Sequence, residues 1–184
     1  PLAIKEFCSR HNIKKSQGFV PPYVKVEVEF IPKNNSNNNT NNNNTCKGEK
    51  VVIGGRGDYV FVQKEPHNVS QAQETLSQKL LEIKCLVTRK ITKLVPIQYY
   101  LQVQTMLYVF QQLDVPITEA VYCENIFDDN QKLVEFWEHT ITLDKEYFES
   151  KILPILGHYS QNLEKSIELG VPQKRARSPT GNNT

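Results

Sequence analysis

The sequence predicts an α/β fold, and three stretches carry that prediction. Tyr23–Ile31 (YVKVEVEFI) sets Val24, Val26, Val28 and Phe30 against Tyr, Lys, Glu and Glu, the strict alternation of a half-buried strand. Tyr99–Leu113 places Val103, Met106, Leu107, Phe110 and Leu113 on one stripe at helical spacing. Leu80–Val87 (LLEIKCLV) is an apolar strand interrupted only by Glu82 and Lys84. Helical and extended patterns therefore alternate along one chain.

Taken in order, Leu2–Asn12 reads as a short helix with Leu2, Ile4, Phe7 and Cys8 apolar, followed by the Tyr23–Ile31 strand. Lys50–Ile53 and Asp58–Val62 are β-rich pieces around Gly54-Gly55-Arg56-Gly57, whose glycines permit a bulge or tight bend. The Leu80–Val87 strand and the Tyr99–Leu113 helix come next. Ala120–Asn125 and Leu133–Leu143 read as two further strands, and Trp137 in the second as core packing. Asp144–Glu168 closes the chain as a helix with Phe148, Ile152, Ile155, Tyr159 and Leu163 on one face and a kink expected at Pro154.

Composition narrows the function. The 184 residues suffice for one domain with a real core, expected over residues 1–169. With 22 Lys+Arg against 20 Asp+Glu the net charge is +2, which excludes a polycation that binds nucleic acid over its whole surface. No apolar run approaches the roughly 18 residues of a membrane span, so no membrane partner is expected. Pro at position 1 reads as the start of a fragment or a trimmed chain. The four cysteines, Cys8, Cys46, Cys85 and Cys123, include no C-x2-C pair, against zinc ribbons and dithiol redox sites. They read as reduced thiols of an intracellular protein.

Two segments do not look like core. Asn34–Thr45 consists only of Asn, Ser and Thr and has nothing to bury, so an inserted disordered loop is expected over 34–48. The tail 170–184 carries Lys174, Arg175 and Arg177 beside Ser178-Pro179. It reads as a solvated, disordered terminus; the alternatives are nuclear targeting and phosphate binding. The tripeptide Arg56-Gly57-Asp58 and the four scattered histidines carry no site of their own.

Glu82-Ile83-Lys84 is the feature that carries chemistry. On a strand, side chains two apart share a face, so Glu82 and Lys84 point together while Ile83 points to the core. A carboxylate and an ammonium side by side on an apolar strand are costly without partners. Asp58 begins the preceding strand. If those two strands are neighbours, two carboxylates and a lysine converge. Two carboxylates are a hard-oxygen set that holds Mg2+ and leaves room for water and phosphate, and the lysine can orient the attacking water and meet developing charge. E-x-K alone is a common surface ion pair. The following helix adds weight, because Gln104 and Tyr108 are neighbours four residues apart, expected on the face opposite its apolar stripe.

Asp58, Glu82-Ile83-Lys84-Cys85 and Gln102-Val103-Gln104-Thr105-Met106-Leu107-Tyr108-Val109, in that order, resemble the YqaJ-type viral recombinases and lambda-type exonucleases of the PD-(D/E)xK nuclease superfamily. Thr88-Arg89-Lys90 after the strand and Tyr99-Tyr100 before the helix add to the likeness, which runs from Tyr23 to about Ser166. The chain departs from the family at Gly57-Asp58-Tyr59, where Pro-Asp-Gly is usual. Pro1-Leu2-Ala3 resembles the residues just after the acid of the family's first core helix, so that acid is expected to fall outside the fragment; Glu6 reads as a solvated helix residue.

The resemblance implies a restriction-endonuclease-like core, a mixed central sheet flanked by helices. It also implies a DNA nuclease using Mg2+ or Mn2+, often a 5′-to-3′ exonuclease of recombination or repair. Asp58 and Glu82 would bind metal with the backbone carbonyl of Ile83. Lys84 would be catalytic, and Gln102 or Gln104 would serve the site from the helix, as would Tyr108 through its Q-x3-Y spacing. Arg56, Arg89, Lys90 and Lys93 are placed to contact phosphates. Rings encircling DNA occur in the family, which leaves a homo-oligomer open, and exo- versus endonuclease action stays open too. The rival reading is a DNA-binding or interaction module of the same fold that has lost catalysis.

Overall fold

The computed structural model describes residues 2–30, 49–64 and 76–169. The expected Asn-rich loop over 34–48 and the basic tail over 170–184 lie outside them. Helix α1 (Leu2–Arg10) leads through a 3-10 turn (Lys15–Gln17) to β1 (Gly18–Phe19), β2 (Val24–Phe30), β3 (Glu49–Gly55), β4 (Tyr59–Lys64) and β5 (Leu76–Cys85). Helix α2 (Ile97–Gln112), β6 (Ile117–Phe127) and β7 (Leu133–Thr142) follow. The chain then runs through α3 (Lys145–Tyr147), a π-helical turn (Phe148–Ile152) and α4 (Leu153–Glu168).

The fold is mixed α/β. Five strands form one sheet in the order β1-β4-β5-β6-β7, and β2 and β3 form a separate antiparallel pair. Within the large sheet only β5 and β6 run parallel. A parallel pair requires a crossover, and α2 supplies it. Leu80 of β5 faces α2 together with Val60, Ala120, Tyr122 and Ile141, around Val103, Met106, Leu107 and Phe110. Leu81 faces the other way, with Phe61, Val121 and Cys123, against Phe7 of α1. On the far side of α2, Tyr108 and Val109 pack with Val28, Val51 and Ile53 of the small sheet and with Phe148, Ile152 and Leu153.

Helix α2 is thus covered on two sides, and its residues from Val103 to Phe110 are buried apart from a half-buried Thr105. That corrects the single-stripe reading: Gln104 and Tyr108, expected on an open face, are inside, while Leu113 is exposed. The last helix is corrected as well. Phe148 and Ile152 are buried as expected, but Ile155 and Tyr159 are 69% and 68% exposed. The π turn inserts one extra residue, which moves the buried face on to Leu153, Leu156 and Gly157. Pro154 follows directly on the π turn, so its missing N–H falls where the regular helical ladder is already interrupted. No helix among the described residues is long and apolar enough to cross a membrane.

Candidate active site

The site forms where β4 begins. Strands β4 and β5 are antiparallel neighbours paired through Tyr59↔Leu81, so the condition for convergence is met. Continuing that register would put Asp58 opposite Glu82 and Gly57 opposite Ile83. The backbone ladder does not continue. Instead the Ile83 N–H donates to Oδ2 of Asp58 at 2.7 Å. On an antiparallel edge a residue offers its N–H and C=O to the same side, so the Ile83 carbonyl faces the Asp58 edge too. The glycines before Asp58 serve close approach rather than an unusual φ. A Cβ on Gly57 would lie 2.2 Å from Leu80 Cδ1, and one on Gly55 would lie 2.6 Å from Met106 Sδ.

Ile83 packs, half-buried, against the Phe7 and Leu81 cluster as expected, and Glu82 on the opposite face of the strand is buried as well, only 2% exposed. Its Oε1 accepts hydrogen bonds from Lys84 Nζ and, at 2.8 Å, from Gln102 Nε2 on α2. The Lys84 ammonium lies 4.6 Å above the ring of Tyr99, a cation–π contact that fixes a flexible side chain. Burial pushes the Glu82 carboxyl above the usual range. The bond from Lys84 opposes that shift, and the nearby Asp58 charge adds to it.

Asp58 is close enough for its charge to act on the buried Glu82 carboxyl, and a cation near both would relieve that repulsion. Among the described residues no group of three or more His, Cys, Asp or Glu side chains is gathered as a metal site. The residues present fit a hard divalent ion through Asp58, Glu82 and the Ile83 carbonyl, because Mg2+ is commonly held by one or two carboxylates with water and phosphate completing its shell. Asp58 and Ile83 also border an open hollow of about 400 Å³ walled by Leu2, Ile4, Cys85 and Phe127, so this edge is reachable from solvent.

The other expected site residues divide. Gln102 is in place, at Glu82. Gln104 is fully buried; its Nε2 donates to the Thr142 carbonyl at 2.7 Å and its Oε1 accepts from Asp144 N at 2.9 Å. Both ends of its amide tie α2 to the β7–α3 junction, so it is a structural residue rather than a catalytic one. Tyr108 is corrected likewise. It is 3% exposed, stacked on Phe148 with ring centres 4.2 Å apart, and bonded to Glu149 at 3.4 Å, so its hydroxyl is engaged inside the fold. Arg56, Lys90 and Lys93 are exposed, Arg56 beside Asp58 and the lysines in the loop after β5. Arg89 is half-exposed and bound to Glu124 at 2.6 Å.

Glu124 and Tyr122 were missed in the sequence. Both lie on β6 and face α2: Tyr122 pairs in register with Glu82, and Glu124 with Lys84. The signal was available, since Tyr122-x-Glu124 repeats on a neighbouring apolar strand the alternation that singled out Glu82-x-Lys84.

The chain matches no family model, no curated protein and no solved structure.

Proposed function

We propose that the chain is a metal-dependent DNA nuclease with a restriction-endonuclease-like core, of the YqaJ and lambda-exonuclease kind, acting in recombination or repair. One observation carries the reading. An Asp just before one strand bonds the backbone of an E-x-K strand beside it, and a helix whose glutamine reaches the same glutamate then crosses over to a parallel strand.

In this reading Asp58, Glu82 and the Ile83 carbonyl hold Mg2+ or Mn2+, which when bound supplies the positive charge that phosphodiester hydrolysis needs at neutral pH. Gln102 fixes the Glu82 carboxylate. Lys84, held between Glu82 and the Tyr99 face, orients the attacking water and meets the charge that develops on the phosphate. Arg56, Lys90 and Lys93 position the DNA backbone without reading its sequence.

The test is a gel assay on end-labelled linear and closed circular DNA with Mg2+, Mn2+ or EDTA. Loss of linear DNA alone, blocked by EDTA, is the expected result, and the labelled end gives the polarity. Binding without cleavage under either metal would transfer the chain to the non-catalytic DNA-binding class.

A further inference from the structure

The Tyr122–Glu124–Arg89 cluster is unused by the mechanism above. Glu124 is fully buried, yet one of its oxygens, Oε2, has no hydrogen-bond partner among the described residues. The other, Oε1, accepts from the Tyr122 hydroxyl at 2.9 Å and from Arg89 at 2.6 Å. Desolvating a carboxylate to hold one arginine is weak as a stabilising device, because the cost of burying the charge offsets the attraction. It is effective as a placing device. The Arg89 side chain keeps 38% of its surface exposed, and a guanidinium has five N–H donors, so the end held by Glu124 leaves others free. Strand register sets Glu124 directly beside Lys84. The aromatic layer is continuous as well: Tyr99, under the Lys84 ammonium, is stacked on Tyr122 with ring centres 5.8 Å apart.

We propose that Glu124 is a positioning residue that presents Arg89 to a DNA backbone phosphate beside the one met by Lys84. The proposal rests on the nuclease reading and deepens it: Arg89 becomes a fixed phosphate ligand, whereas Lys90 and Lys93 are free to sample. A planar, forked donor held at one end suits a phosphate oxygen pair, and a lysine would not replace it.

The test measures binding of a short fluorescent duplex by anisotropy in Ca2+ over a salt series, so that no turnover is required. The variants are Glu124→Gln, Arg89→Lys and the neutral pair Arg89→Gln/Glu124→Gln, each first checked for cooperative thermal unfolding. The neutral pair is expected to lower the slope of log affinity against log salt by about one, the loss of one phosphate contact. Glu124→Gln alone is expected to keep the slope and weaken binding several-fold, since the contact survives but its ordering is no longer prepaid. A neutral pair with the wild-type slope overturns the proposal. Should that pair not fold, Glu124→Gln binding as tightly as wild type overturns it. Wild-type protein with no salt-dependent DNA binding brings down the nuclease reading itself, a result distinct from either.

Discussion

Oδ2 of Asp58 accepts the backbone N–H of Ile83 at 2.7 Å, taking the place of the next rung of the β4–β5 ladder. One side chain thereby ends a strand pairing, fixes its own orientation and leaves a strand carbonyl facing the same edge. The account of the site depends on this substitution of side chain for backbone.

Glu82→Gln should remove Mg2+-dependent cleavage, with kcat down by about 10³ or more, because the charge that attracts the cation is gone. The amide still accepts from Lys84 and Gln102, so the fold should persist. Cleavage kinetics beside a thermal melt check both halves of this outcome.

The pH dependence of stability follows from the same residue. Glu82 titrates above its unfolded-chain value in the folded protein, mainly through burial. Between the two values the native state binds more protons than the unfolded chain, so stability falls as pH rises through that window. Glu82→Gln should flatten this fall. Mg2+ added at the high-pH end should raise the melting temperature of wild type but not of Glu82→Gln, since the ion binds the native state.

Gln102 and Gln104 should behave oppositely despite sitting two residues apart. Gln102→Ala removes a donor from the Glu82 carboxylate, and the acid limb of the activity profile should move to higher pH with little change in stability. Gln104→Ala leaves the Thr142 carbonyl and the Asp144 N–H without this partner, and should cost about 1–3 kcal/mol of stability at unchanged kcat. Denaturant titrations and pH–rate profiles of the two variants distinguish them.

Gly57→Ala would drive a Cβ to within 2.2 Å of Leu80 Cδ1. The clash should destabilise the chain by about 1–3 kcal/mol and displace Asp58. Trimming Leu80 to Val in the same chain should restore part of the stability and part of the activity.

What the sequence disclosed, and what it concealed, follows from the range of each interaction. Glu82 and Lys84 stood out because strand alternation is local, and Asp58 because it opens the strand before them, whereas Gln102 was suggested only by the resemblance. Gln104 and Tyr108 were misread because their burial comes from the β2–β3 pair and the closing helices, which cover α2 from distant parts of the chain. Ile155 and Tyr159 were misplaced because one π turn shifts the helical phase, and a regular repeat cannot anticipate an inserted residue. Glu124 is the instructive omission. An acid on an otherwise apolar strand was taken as evidence at Glu82 and passed over at the equivalent place on β6.

In the proposed nuclease Asp58 and Glu82 hold one divalent cation together. Calorimetric titration of Mn2+ into wild type, Asp58→Asn and Glu82→Gln reads this out. One site per chain is expected in wild type, lost or weakened at least tenfold in each variant. Mn2+ binding to Glu82→Gln with the wild-type affinity and stoichiometry would contradict it.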